Sequence, residues 1–141
     1  MEIPRIMNRN DLKLRLKYLA IKTGWLCIRI PENFINKIYI DQVTGSTSSS
    51  ASNYRAACRG KSNATFVNRL RIVEEKLDET MLLYEMLGEF NPDFKTDFRE
   101  LYMEANELTS IVVDSINSAK TKTAKDAVLK KSGMTSANQR D

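Results

Sequence analysis

The hydrophobic positions of the chain recur with helical spacing. The clearest run lies between Ser62 and Gly88, where Phe66, Leu70, Val73, Leu77, Thr80, Tyr84 and Leu87 follow alternating steps of four and three. That spacing places them on one stripe of an α-helix. Val67, Met81, Leu82 and Leu83 widen the stripe, so this helix is expected to touch more than one neighbour. Ser62 is its candidate N-cap and Gly88 its candidate C-cap. A second helical stripe starts at "NPDF" and runs through Phe94, Phe98, Leu101, Ala105, Leu108, Val112, Ser115 and Ala119. Asn91 can cap it, and Pro92 suits a first helical position. The short "EFN" connection makes these two helices antiparallel neighbours.

The N-terminal region carries two apolar stripes on one predicted helix, from about Asn10 to Ile28. Leu12, Leu16, Leu19, Thr23 and Leu26 form one, and Leu14, Tyr18, Ile21 and Trp25 form the other. Ile30-Pro31 should end this helix, because the residue before proline disfavours the α region. Trp25, Phe66, Phe94 and Phe98 sit on these stripes and are read as core. "ENFINKIYIDQV" fits either a short strand or a helix start; with no strand partner elsewhere, helix is preferred. The polar stretch "GSTSSSASNYRAACRGKS" follows, from Gly45 to Ser62. Ser and Gly are weak helix formers, at about 0.5–1 kcal/mol each against Ala. Ser46, Ser49, Asn53, Ala56 and Ala57 could still share one small face that lets helices approach closely. From spacing alone, a flexible linker and a small-faced helix both fit, and Gly45 is a place where such a helix would bend or fray.

Composition narrows the chemistry. The chain has 141 residues, no histidine and two cysteines, Cys27 and Cys58, in no Cys-x-x-Cys pair. Without histidine there is no Ser-His triad, no Glu-x-x-His di-iron site and little scope for zinc. The reading is therefore non-enzymatic, without cofactor, metal or small-molecule substrate. No apolar run approaches the ~20 residues of a membrane span, and no signal core is evident, so a cytoplasmic protein with no membrane partner is expected. Net charge is +4, unevenly placed: residues 1–60 carry +6, residues 61–119 carry −6 and residues 120–141 carry +4. That asymmetry suits either nucleic-acid contact or contact between subunits. The acidic group Glu74, Glu75, Asp78 and Glu79 reads as a solvated or intersubunit face, with Arg71 placed to pair with Glu75. The basic set Arg55, Arg59 and Lys61, with Arg15, Lys17 and Lys22, is the candidate nucleic-acid or partner contact. The competing reading of that set is ion pairing to the acidic third helix.

"SNYRAACRGKS" (Ser52 to Ser62) followed by "FVNRLRIVEEKLDETMLLYEML" (Phe66 to Leu87) resembles the four helix bundle protein family, also called the large-subunit ribosomal RNA intervening-sequence protein family. Gln42, Ser49, Asn53, Tyr54, Arg55, Ala56, Ala57, Arg59, Ser62, Phe66, Leu70, Ile72, Glu74, Glu79 and Thr80 match its pattern, within a likeness spanning about Leu12 to Lys120. Gly45 departs from it, where members often carry a basic residue, as does Ala51, where they tend to carry Gly. The resemblance implies an all-α, antiparallel up-and-down four-helix bundle that assembles as a homo-oligomer, a homopentameric ring. Relatives include proteins encoded within ribosomal RNA intervening sequences and the accessory protein of diversity-generating retroelements, which binds reverse transcriptase and nucleic acid. It favours helix for the serine-rich stretch. The expected domain is 1–131, with helices at about 10–28, 34–59, 62–88 and 92–120 or longer, and 132–141 as a polar disordered tail. The expected function is a binding or scaffolding module for RNA, DNA or a nucleic-acid enzyme such as a reverse transcriptase. The alternative is a protein-interaction adaptor whose charge asymmetry serves subunit assembly.

Overall fold

The computed structural model describes residues 8–133; the expected tail beyond residue 133 and the opening seven residues lie outside them. Four helices follow one another, α1 (Arg9–Arg29), α2 (Phe34–Cys58), α3 (Asn63–Phe90) and α4 (Lys95–Lys131), with a 3-10 turn at Pro92–Phe94 leading into α4. Each packs on its sequence neighbour and α4 closes back on α1, while α1 and α3 lie across the diagonal. This is the antiparallel, up-and-down, all-α four-helix bundle, with no strand among the described residues. Short connections leave no other packing open to consecutive helices.

Side-chain caps fix the helix starts. Asn8 accepts from the Asp11 amide at 2.8 Å, Asn33 from the Asn36 amide at 2.8 Å, and Ser62 from the Thr65 amide at 3.1 Å. Each satisfies a donor the helix cannot. Ile30 stands extended before Pro31 and ends α1. Two expected caps serve other ends. Gly88 is buried inside α3, which runs on to Phe90. A Cβ there would rest 3.7 Å from Phe98 Cβ, so α4 passes close to the α3 backbone. Asn91 makes no side-chain cap to the turn that follows it. Its amide group instead pairs with that of Asn36 in both directions (2.9 and 2.8 Å) and donates to Leu87 O. Asn36 also donates to Pro31 O. This buried amide pair joins the start of α2 to the end of α3 and leaves both side chains satisfied.

The core is built on the predicted stripes of α1, α3 and α4, except that in α4 Ile116 is buried in place of half-buried Ser115. Leu12, Leu16, Leu19 and Leu26 meet Leu70, Val73, Leu77, Tyr84 and Leu87, with Phe98, Leu101, Leu108 and Val112 on the fourth side. Trp25 departs from its expected burial: it is 65% exposed, as the other stripe of α1 faces solvent. Phe66 and Phe94 are half-buried, and Phe98 is fully enclosed.

α2 is helical from Phe34 through Cys58, without a break at Gly45, and the last four residues of the serine-rich stretch, Arg59 to Ser62, form the turn into α3. Its buried face is Val43, Ser46, Thr47, Ser50, Tyr54 and Ala57; Ser49, Asn53 and Ala56, expected to share the close-packed face, lie on its margin. Thr44, Thr47, Ser50 and Asn53 return their side-chain donors to carbonyls three or four residues back. That is how a run of hydroxyls is buried without an unmet donor. Ser46 is also 2.7 Å from Thr80 Oγ1. Thr80 donates its own proton to Lys76 O at 2.8 Å, whereas the carbonyl open to Ser46, Val43 O, is farther at 3.3 Å, so Ser46 is the donor across this α2–α3 contact. The small side chains thus bring α2 against α3 and supply the contact that aligns them.

Candidate functional site

The α2–α3 connection gathers three of the basic candidates at one end of the bundle. Arg55 lies in the last turn of α2, Arg59 caps that helix, and Lys61 follows in the turn; all three are exposed. Gly60 makes the turn tight: its amide donates to Ala57 O at 3.0 Å, and a Cβ there would sit 3.1 Å from that oxygen and 3.2 Å from Thr65 Cγ2. No acidic residue occurs between Asp41 and Glu74, a segment carrying Arg55, Arg59, Lys61, Arg69 and Arg71. Among the described residues, Arg55, Arg59 and Lys61 have no carboxylate partner. Arg69 donates to Asn53 Oδ1 at 3.0 Å, which fixes one guanidinium on the α2–α3 surface.

Two further elements meet this end. Arg9, at the start of α1, lies 4.5 Å over the Phe66 ring. α4 arrives opposite: Asn63 donates to Ala119 O at 2.7 Å and to Thr123 Oγ1 at 2.5 Å. These bonds tie the first residue of α3 to α4, after which α4 continues to Lys131, roughly 12 Å past the bundle at 1.5 Å per residue. Lys125, Lys130 and Lys131 lie on this projection and Lys120 and Lys122 just before it, with Asp126 the one acidic residue from 115 to 131. The basic tail segment was visible in the sequence, but only the Asn63 contact places it beside Arg59 and Lys61.

The other three candidates lie elsewhere. Arg15 is held against α4, with Nε on Glu104 Oε2 (3.0 Å), Nη2 on Glu104 Oε1 (2.7 Å) and the same Nη2 on Glu107 Oε2 (2.6 Å). The Glu104 bond chiefly holds its guanidinium in the charged form. A two-pronged pair of this kind satisfies Arg15 within its own subunit. Lys17 and Lys22 are exposed on α1, away from the α2–α3 connection. Arg71 makes no ion pair with Glu75 among the described residues; Glu79 takes Lys76 at 3.6 Å.

Tyr54 is a packing residue, 3% exposed, and burial pushes its phenol well above the ordinary value. Cys27 is buried and its thiol pushed up to about 11 by desolvation. Among the described residues, no group of three His, Cys, Asp or Glu side chains is placed to hold a metal ion, and no helix is long and apolar enough to cross a membrane.

Against known proteins, the bundle matches a crystal structure from Bacteroides thetaiotaomicron, a protein of unknown function from the S23 ribosomal protein family. The TM-score is 0.70 at 20% identity, over 77% of this chain and 97% of that one. The chain shares this S23 family fold. The likeness agrees with the resemblance read from Ser52 to Leu87, and at this identity it speaks for fold. No family model matches the chain, and no curated protein does.

Proposed function

We propose that this protein is a non-enzymatic, self-associating helical bundle that binds nucleic acid through the end formed by the α2–α3 connection and the α4 projection. The carrying observation is the set Arg55, Arg59 and Lys61, exposed and without carboxylate partners in an acid-free segment. Unpaired cations on a rigid end exchange condensed counterions for phosphates, the main source of nucleic-acid affinity. The lysines of α4 widen that surface. Assembly into a ring, the homopentamer of the resembled family, would present several such ends together and raise a weak contact by avidity. A nucleic-acid enzyme, such as a reverse transcriptase, is the corresponding protein partner.

Filter binding of RNA and DNA across a salt series tests this. The expected result is binding that falls steeply with salt and is weakened about uniformly across sequences by Arg55→Ala, Arg59→Ala and Lys61→Ala together. Absence of salt-dependent binding at low ionic strength overturns it. The adaptor reading, without nucleic acid, is favoured by one observation, the uncovered apolar stripe of α1.

A further inference from the structure

The α1 helix is apolar on two opposite sides. Leu12, Leu16, Leu19, Thr23 and Leu26 face the core. On the far side Leu14, Tyr18, Ile21, Trp25 and Ile28 follow steps of four, three, four and three. Leu14 is 50% exposed, Tyr18 49%, Trp25 65% and Ile28 80%. A heptad-spaced stripe of this size facing water is the seam that a helix offers to another helix. Lys13, Lys17, Lys22 and Arg29 flank it, and Asp11 is the one acidic residue of α1. These cations set the chemistry of the occupant: it must be apolar along its middle and acidic at its edges.

The outward side of α3 has that character. Leu82 is 55% and Phe90 51% exposed, with half-buried Met86 between them. Glu75, Asp78 and Glu79 lie on the same exposed side. Glu75 and Asp78 have no ion pair among the described residues. Because α1 and α3 are diagonal, these two faces look out from opposite sides of the bundle. They also stand at the same height. Arg9 lies over Phe66, and Thr23 meets Tyr84 at 2.6 Å, so residues 14–28 of α1 run level with the segment of α3 from about Ile72 to Phe90. Both helices run in the same direction. Two copies placed side by side, bundle axes parallel, bring one copy's α1 stripe against the other's α3 face without sliding.

We infer that the α1 stripe of one copy docks on the acidic outward face of α3 of the next, in a head-to-tail contact. An α1-to-α1 pairing would oppose Lys17 and Lys22 to their own copies, whereas the α3 face neutralises them. The two surfaces differ, so the contact is heterologous: copies add head to tail, each end keeping one free face, and a ring closes only where a rotation between neighbours brings the last copy back to the first. This gives the self-association of the proposed function its surfaces. It removes Lys17 and Lys22 from the nucleic-acid surface and leaves Arg55, Arg59 and Lys61 free for it. It does not depend on nucleic acid: an assembly that binds no RNA leaves this contact standing and overturns the other reading.

The test is light scattering with charge-reversed variants. Wild type is expected to exceed the 16.1 kDa of one chain. Lys17→Glu with Lys22→Glu, and separately Glu75→Lys with Glu79→Lys, are each expected to weaken association at least tenfold while circular dichroism stays unchanged. Mixing the two variants should restore association with the two chains alternating, since the reversed α1 edge of one meets the reversed α3 edge of the other and their unaltered faces also match. A wild type of one-chain mass at all concentrations overturns the inference. So does an α3 reversal that leaves the assembly intact, or a mixture that fails to associate. A blue shift of Trp25 fluorescence on phosphatidylglycerol vesicles, with a wild type of one-chain mass, assigns the stripe to a lipid surface and likewise overturns it.

Discussion

The hydroxyls of Thr23 on α1 and Tyr84 on α3 meet at 2.6 Å across the diagonal of the bundle. Thr23 gives its only proton to Leu19 O, also at 2.6 Å, so Tyr84 is the donor and Thr23 the acceptor. Thr23 is fully buried and Tyr84 is 1% exposed. This bond sets the height of α1 relative to α3, two helices whose backbones do not otherwise approach.

The pair predicts a coupled mutational response. Tyr84→Phe removes one bond but leaves Thr23 still donating to Leu19, and should cost about 1 kcal/mol. Thr23→Val strands the buried Tyr84 hydroxyl and should cost about 1–3 kcal/mol. The double variant should lose less than the two singles together by at least about 0.5 kcal/mol. Urea unfolding of the four proteins measures this, and additive losses would show that the two hydroxyls are not coupled.

Alkaline pH should weaken the fold through Tyr84 and Tyr54. Burial raises both phenols above their ordinary value of 10.0. A raised folded-state value means the folded protein holds the proton more tightly than the unfolded chain. The stabilisation is complete below 10.0, the unfolded value, and is lost as pH rises above it toward the folded-state values. Urea midpoints should therefore be flat through neutral pH and fall above that value, with a smaller fall in Tyr84→Phe. An unchanged midpoint in strong alkali would contradict the burial of these hydroxyls.

The smallness of the α2 face can be tested at Ser50, which is fully buried and donates to Thr47 O at 2.8 Å. Ser50→Leu forces methylenes into the α2–α3 contact and should cost about 1–3 kcal/mol. Ser50→Ala keeps the size and improves helix propensity, so its effect should stay within about 1 kcal/mol. Thermal unfolding separates the two. Equal effects would mean that α2 has room for large side chains.

The same helix shows what could be read from sequence. The α3 stripe was legible because apolar side chains at steps of three and four can only line one face, and Leu70, Val73, Leu77, Thr80, Tyr84 and Leu87 are all buried. In the serine-rich part of α2 the helix was legible only through the resemblance. The choice of face was not: Ser49 and Ser50 have the same hydropathy, and only the packing of the bundle buries Ser50 and leaves Ser49 on the margin. The two α1 stripes were equally apolar, so the sequence could not tell that Trp25 faces outward. At the basic end, Arg55, Arg59 and Lys61 were found from their spacing. Arg15 could not be told apart from them, because its partners Glu104 and Glu107 lie 89 or more residues away in the chain. The α4 lysines were visible as charge, and only their place beside the turn was hidden.

That place gives a final prediction. Asn63 ties α3 to Ala119 and Thr123, and from residue 124 to 131 every α4 residue is exposed except half-buried Leu129. A chain ended at Thr123 therefore keeps the core and the Asn63 bonds, and its unfolding free energy in urea should match that of the full chain to within about 0.5 kcal/mol. It lacks Lys125, Lys130 and Lys131 of α4, together with Arg140 further along the sequence. If these lysines meet phosphates together with Arg59 and Lys61, the log–log salt slope of RNA binding should shrink by about 0.7–0.9 for each lost contact, up to about 2–3 in all. Affinity at low salt should fall alike for unrelated RNA sequences, because phosphate contacts carry no base information. An unchanged slope would confine the nucleic-acid surface to the α2–α3 connection, and a lowered urea midpoint would show that the projection stabilises the bundle instead.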